Sequence, residues 1–180
     1  MVEHYREILQ AYYKEYPFVE ANIQSFNDFV EKQLQKLADE IGDIVPTIIP
    51  QEVESFVIKF KKIWVEKPSI IEAAGSKREI FPSEARLRSL TYAASMYLEV
   101  SAYVDDVQKE SFTAMIGKLP IMLRSKYCNL HGLKREELIA KGEDPNETGG
   151  YFIINGNERV LVTVEDLASN KLFIERKDVG

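Results

Sequence analysis

Residues 149–162 read GGYFIINGNERVLV, and two β-forming runs meet there at a single Asn155-Gly156 pair. Both residues of the pair tolerate the positive φ angles of a two-residue type I′ turn, whose twist matches that of its flanking strands. The stretch therefore predicts a tight β-hairpin. Its register would pair Ile154 with Asn157, Ile153 with Glu158, Phe152 with Arg159, and Tyr151 with Val160.

The two faces of this predicted hairpin differ in chemistry, because directly opposed residues share a face. We expect one face to be core and the other to present the cation of Arg159. A hairpin alone can be an ordinary folding nucleus, so its function depends on the rest of the chain. The core face would carry Tyr151, Ile153, Val160, Val162 and Val164, and the cationic face Phe152, Arg159 and Leu161.

Helical periodicity dominates the first quarter of the chain. Residues 3–16 carry apolar side chains at helical spacing and stop before Pro17, which predicts a first amphipathic helix. Ser25 followed by Asp28 predicts the capped start of a second helix that ends at Gly42. Its apolar stripe would comprise Phe26, Phe29, Val30, Leu34, Leu37, Ala38 and Ile41.

Alternating patterns follow and predict strands. We expect residues 56–64 to form a strand that packs against the second helix, and residues 92–104 to be its antiparallel partner, ending at a polar turn. The whole pattern predicts an α+β fold in one domain, residues 1–180, with N-terminal helices packed on a largely antiparallel sheet and a C-terminal β-hairpin. The remaining predicted elements are a turn around Gly75-Ser76, a short helix opened by Pro82, a strand over 112–120, a helix over 135–141 and a final strand over 172–175.

Composition is that of a folded intracellular domain. Of 180 residues, 45% are hydrophobic and 11% aromatic, which is enough to build a core. A single cysteine excludes an internal disulfide, and no apolar run approaches the roughly 20 residues that cross a bilayer. We therefore expect a cytoplasmic protein without a membrane partner.

The net charge of −6 argues against a protein that coats nucleic acid by bulk attraction. The charge is unevenly distributed, however. Residues 1–50 hold four Lys/Arg and nine Asp/Glu, whereas residues 58–88 hold eight and four, and residues 113–141 hold six and two. The two basic segments are either solvated faces or contacts for an anionic partner.

No catalytic or metal motif is recognisable. Cys128 and His131 form a C-x-x-H pair, but His4 is the only other histidine, and structural zinc needs about four such ligands. The glycines at 149, 150 and 156 suit strand entry and a turn rather than a phosphate loop. We predict no catalytic residue, no metal and no cofactor in this segment.

Several long stretches, in one order, carry a family resemblance. They are SFNDFV at 25–30, EARLR at 84–88, GKLPIMLRSKYC at 117–128 and GGYFIINGNERVLV at 149–162. Together they closely resemble the second-largest subunit of multi-subunit DNA-directed RNA polymerases, and most of all the archaeal B subunit. The resemblance extends from about residue 20 to about residue 172.

The resemblance implies the protrusion, a lobe on one side of the DNA cleft, and a chain that is part of a longer subunit. It implies transcription as the process and nucleotidyl transfer as the activity of the whole enzyme, with magnesium held by another subunit. Expected partners are the other polymerase subunits, DNA and the RNA–DNA hybrid through the assembled enzyme, and transcription initiation and elongation factors.

Basic side chains of the two matched stretches are the candidate nucleic-acid contacts, since phosphate contacts position a duplex without reading its sequence. Arg159 is the first candidate, and Lys118, Arg124 and Lys126 follow. Each could instead be a surface ion pair or a snorkelling side chain. The rival function is a stand-alone protein–protein interaction module whose tyrosines and acidic helices never meet nucleic acid, and a small hydrolase comes third.

Overall fold

The computed structural model has the α+β fold that the sequence predicts, with helices beside a three-stranded antiparallel sheet and two small hairpins. It describes residues 2–162, 164–172 and 174–177, and for residues 2–4 and 14 the backbone alone. The helices are α1 (Val2–Glu15), α2 (Glu20–Asp28), α3 (Leu34–Ile41), α4 (Pro82–Leu87) and α5 (Arg135–Ala140), with a π-helical turn over Phe29–Gln33. The strands are β1 (Phe56–Val65), β2 (Ser69–Ile71), β3 (Lys77–Glu79), β4 (Ala93–Val104), β5 (Val107–Pro120), β6 (Phe152–Ile154) and β7 (Asn157–Arg159).

The second helix is longer than predicted. Together, α2, the π turn and α3 run from residue 20 to residue 41 and end at Gly42, as expected, with φ of +70°. The predicted start at Ser25 is wrong, because the helix begins five residues earlier at Glu20 and no side chain caps it. Ile23 explains the extension, since it packs against the core and its amide donates to the Val19 carbonyl at 3.0 Å.

The π turn keeps the buried stripe of this helix on one side. Phe26, Val30, Leu34 and Ala38 are buried at a strict spacing of four residues, which would drift by about 40° per step on a regular α-helix. The Leu34 amide bonds to the Phe29 carbonyl five residues back, and this wider turn compensates for the drift. The predicted stripe is wrong at two positions, because Leu37 and Ile41 lie off this line and are 52% and 60% exposed.

The main sheet has the strand order β1-β4-β5. The predicted antiparallel pairing of β1 with β4 is confirmed, and β4 turns into β5 at Asp105-Asp106, both with positive φ. The long helix packs on β1, also as predicted. Its Gln35 side chain donates to the Lys61 carbonyl at 2.7 Å and accepts from the Ile63 amide at 3.1 Å, so it satisfies backbone groups that a bulge removes from the ladder.

Two peripheral predictions change. Residues 69–81 contain a hairpin of β2 and β3 around the predicted turn at Gly75. The predicted final strand over 172–175 is wrong, because residues 172, 174 and 175 form no ladder with a described strand, and residue 173 lies outside the described residues. A strand needs a hydrogen-bonding neighbour, and no described strand borders this segment.

The core lies where the long helix, the start of β4, the segment 121–130 and the hairpin meet. Its completely buried side chains come from several of these parts and from α5, so the C-terminal hairpin is built into the core rather than laid on the sheet. The largest of them are Tyr92, Ile121, Leu123, Leu130, Leu138 and Ile153.

Candidate nucleic-acid interface

The hairpin of β6 and β7 forms in the predicted register. Phe152 pairs with Arg159, Ile153 with Glu158 and Ile154 with Asn157, and the turn residues have φ of +50° and +77°. The predicted pair of Tyr151 with Val160 is absent from the ladder. The Tyr151 carbonyl instead accepts the Leu123 amide at 2.9 Å, because the chain joins the core at that point.

The tip of the hairpin is pinned to the segment between α4 and β4. The Gly156 amide donates to the Leu90 carbonyl at 2.9 Å, and the Asn155 amide donates to the Thr91 hydroxyl at 3.0 Å. The two backbones approach so closely that a Cβ on Gly156 would lie 2.8 Å from the Ser89 Cα. These contacts fix the position of the hairpin turn.

The predicted division of the hairpin into a core face and a cationic face is only partly right. Ile153 is completely buried as expected, but Val160, Val162 and Val164 are exposed, because pairing stops at Arg159 and nothing described covers the chain beyond it. On the other face, Phe152 packs edge-on against Phe26, with ring centroids 5.6 Å apart. Apolar contacts therefore occupy both faces of β6.

An open apolar groove lies between the hairpin, the start of the long helix and the end of β5. Its volume is about 690 Å³, and Phe26, Phe29, Met122 and Phe152 are among the residues that line it. Arg159 belongs to the same lining. Its side chain is exposed, and no carboxylate in the described part of the chain pairs with it.

The other three candidate cations have different surroundings. Lys118 is exposed on β5, opposite Ser95, and forms no ion pair with a described residue. The Lys126 ammonium lies 2.7 Å from a Glu31 carboxylate oxygen, which ties it to the long helix.

Arg124 is half-buried at a positive φ of 65° and has a structural contact. Its guanidinium donates to the carbonyls of Leu130 and Leu133 at 3.0 and 3.2 Å. This arrangement closes the turn between β5 and α5. Of the four candidates, Arg159 and Lys118 are therefore the two whose charge is not engaged by described residues.

Arg86 is the functional candidate that sequence reasoning missed. Its guanidinium donates to the Tyr151 hydroxyl at 2.5 Å and to the Glu158 carboxylate at 3.0 Å, and it lies 3.4 Å from Glu147 and 3.7 Å from Glu143. Its position on a short helix was clear from the sequence, but its partners are 57 to 72 residues away. The acidic residues of the 143–147 loop were the sequence signal that could have indicated partners for Arg86.

The carboxylates of this cluster shape its electrostatics. The Glu143 side chain is only 1% exposed and accepts the Ser83 amide at 2.8 Å. Burial, followed by its bond to the Glu147 carboxylate, raises the pKa of the Tyr151 hydroxyl well above its ordinary value. Tyr151 therefore stays neutral and bridges Arg86 to Glu147, to which it donates at 2.8 Å.

Comparison with known proteins identifies the family. A family profile described as RNA polymerase beta subunit matches residues 17–173. The chain belongs to this RNA polymerase family. It is 47% identical over 177 residues to DNA-directed RNA polymerase subunit Rpo2N of Methanocaldococcus jannaschii, covering 96% of this chain and 35% of that subunit. It is 40% identical over 174 residues to subunit Rpo2 of Saccharolobus shibatae, covering 97% of this chain and 15% of that subunit.

Membership confirms the resemblance drawn from the sequence motifs and specifies its archaeal character. The chain spans about a third of the Rpo2N relatives and about a seventh of the Rpo2 relatives that it matches. None of these findings tests which basic residues touch nucleic acid, so the roles of Arg159, Lys118, Arg124 and Lys126 stay predictions.

Much of the basic charge in this polymerase-family chain is balanced internally. In segment 58–88, Arg78 and Arg88 both bond to the Glu84 carboxylate, which lowers its pKa to about 2, mainly through Arg78. Lys59 lies 2.9 Å from Asp43. Five of the eight cations of this segment, Lys59, Lys77, Arg78, Arg86 and Arg88, form ion pairs.

Cys128 and His131, which form the C-x-x-H pair, take part in local packing and a turn. The Cys128 thiol is buried 3.5 Å from the Tyr92 hydroxyl, and burial raises its pKa. The His131 amide donates to the Cys128 carbonyl at 3.0 Å, as in a local turn. Among the described residues, no three His, Cys, Asp or Glu side chains are grouped so that they could hold a metal ion.

In the same part of the chain, no helix is long and apolar enough to cross a membrane.

Proposed function

We propose that this chain is the N-terminal protrusion segment of the second-largest subunit of a cytoplasmic DNA-directed RNA polymerase. It serves transcription as a non-catalytic wall of the DNA cleft, in one domain over residues 1–180. The family match over residues 17–173 supports this function. Nucleotidyl transfer belongs to the assembled enzyme, and another subunit holds its magnesium.

Nucleic-acid contact through Arg159 is supported by the surroundings of its side chain. This guanidinium is exposed beside an apolar groove, has no partner carboxylate among the described residues and stands on a hairpin pinned to the core. A fixed, unpaired guanidinium suits a phosphate, which it can bind through two parallel hydrogen bonds. Lys118 is the second contact, while Lys126 and Arg124 would first have to leave their partners in the fold.

The apolar groove is the surface for the rest of the enzyme. Leu161 and Val162 extend it, and both are exposed in this chain. The Rpo2N relatives are about three times as long as the stretch that they share with this chain, so the remainder of the same subunit is a natural neighbour. Other subunits and transcription initiation and elongation factors are the further partners.

A second function, docking of a protein without nucleic acid, is favoured by helix α1. Tyr5 and Tyr12 on this helix and Tyr16 directly after it are all more than half exposed. Aromatic side chains of this kind are common at protein interfaces. This function does not need Arg159, and that difference separates the two proposals.

The decisive experiment replaces Arg159 by Glu in the assembled polymerase. We expect a shorter lifetime of the elongation complex and a salt dependence that is weaker by about 0.9 in the log–log slope for each lost duplex phosphate contact. The matched control is Lys109→Glu, since Lys109 is also an exposed cation and lies at the far end of β5. Equal lifetimes for both variants and the parent across the salt series would refute the contact and favour protein docking.

A further inference from the structure

The Arg86 cluster joins three separate parts of the fold. Arg86 stands on α4, Glu143 and Glu147 on the loop after α5, and Tyr151 and Glu158 on the hairpin. The last two lie on the hairpin face opposite Arg159, because Glu158 pairs with Ile153 and Arg159 with Phe152. The cluster therefore acts on the hairpin from the side away from the groove.

Strand β7 has little other support. It has three residues, and among the described strands its single ladder neighbour is β6. Within the described part of the chain, Arg86 is the only side chain outside the hairpin that hydrogen-bonds to β7, through Glu158 at 3.0 Å. Arg159 is the next residue and the last in the ladder. The orientation of its side chain depends on a strand that, beyond the pinned turn, is held by its ladder with β6 and by this one side-chain contact.

Arg86 itself is poorly suited to bind phosphate. Its guanidinium is about three-quarters buried and faces the carboxylates of Glu143, Glu147 and Glu158. One cation among three carboxylates leaves this side of the hairpin anionic, which disfavours a nucleic acid there. The groove side carries Arg159, which no described carboxylate pairs with, so its charge there is positive.

We propose that Arg86 is a positioning residue: through Glu158 it holds β7 so that Arg159 points to the nucleic-acid backbone on the opposite face. This inference rests on the proposed function of Arg159. It assigns to Arg86 and Glu158 an effect on nucleic-acid affinity that neither side chain exerts by contact.

Glu158→Ala gives the sharpest test, because it removes both the carboxylate charge and the acceptor for Arg86, and charge and position predict opposite signs. By charge alone, removing a carboxylate beside Arg159 should strengthen binding of a polyanion. If Glu158 works by holding β7, the assembled polymerase should bind a DNA–RNA scaffold about two- to five-fold more weakly, the range expected for a partly exposed ion pair. Tighter binding by Glu158→Ala would overturn the proposal.

A double-mutant cycle supplies the second test. Arg86→Ala and Arg159→Ala should each weaken scaffold binding, and the double variant should bind no more weakly than Arg159→Ala, because both act through one contact. Additive losses would mean that Arg86 has a separate structural role. Arg88→Ala is the matched control on α4, since its partners Glu72 and Glu84 belong to another network, and we expect unchanged affinity.

The two proposals fail in different ways. If Arg159→Ala leaves affinity and its salt dependence unchanged, the nucleic-acid contact itself is wrong. If Arg159→Ala weakens binding while Glu158→Ala and Arg86→Ala do not, the contact stands and the positioning role is refuted. Should Arg86→Ala prevent assembly, Glu158→Ala still decides, because it removes the same hydrogen bond to Arg86 without touching the buried carboxylates.

Discussion

Gly149 is the position where a single methyl group should disturb the attachment of the hairpin most. Its φ is +77°, and a Cβ there would lie 2.4 Å from the Leu123 carbonyl oxygen and 2.6 Å from the Arg124 Cβ. The Leu123 carbonyl also accepts the Gly150 amide at 3.1 Å, so the contact is part of the joint between hairpin and core. Neither the Leu123 carbonyl oxygen nor the Arg124 Cβ can move aside by a change of side-chain rotamer.

A matched control separates steric overlap from backbone strain. Gly142 has nearly the same φ, +74°, but a Cβ there meets nothing within 4 Å. Alanine at either position should lower the free energy of unfolding by about 1 kcal/mol, because it must adopt the left-handed conformation. Its effect on the entropy of the unfolded chain should be the same at both positions. Overpacking adds about 1–3 kcal/mol at Gly149 alone, so the two alanine variants should differ by about 2 kcal/mol.

Thermal unfolding followed by far-ultraviolet circular dichroism measures this difference. For a chain of this length, about 2 kcal/mol corresponds to a Tm difference of about 4–8 °C, with Gly149→Ala the less stable variant. Indistinguishable Tm values for Gly149→Ala and Gly142→Ala would refute the close approach of residue 149 to the Leu123 backbone.

Two further predictions concern acid stability and exposed apolar surface. Bonds from Arg78 and Arg88 hold the pKa of Glu84 at about 2, below its ordinary 4.5, so its contribution to the free energy of unfolding is complete above about pH 4.5 and is lost as the pH falls towards 2. Urea unfolding at a series of pH values should therefore show a smaller acid-induced loss for Glu84→Gln, and an identical pH profile would contradict the bonds. Because the groove and the valines beyond β7 are open, the isolated chain should bind a hydrophobic dye and self-associate; a monomer at high concentration that binds no dye would contradict this exposure.

Local sequence patterns predicted those features that short-range sterics decide. The Asn155-Gly156 pair set the turn and three of the four expected hairpin pairs, because few residues accept two consecutive positive φ angles. Gly42 ended the long helix and Pro82 opened α4 for similar reasons. Alternation of side chains along the sequence predicted β1, β4 and their antiparallel pairing, since a two-residue period is typical of a β-strand.

Packing decided the features on which local signals were misleading. The polar pair Ser25 and Asp28 resembled a helix start, yet Ile23 found core contacts that extended the helix before it. The apolar residues after β7 resembled a core face and a further strand, but burial needs a covering partner and none is present among the described residues.

The sequence by itself determined the family, the fold class and where the basic side chains stand along the chain. Only the tertiary structure decided which of them are engaged: Lys126 pairs with Glu31 and Arg124 binds carbonyls, whereas Arg159 remains unpaired by described carboxylates. It also gave Arg86 partners as far as 72 residues away. The physical reason is range, because turn and strand preferences act between neighbours in sequence, whereas an ion pair needs atoms within a few ångströms that any part of the chain can supply.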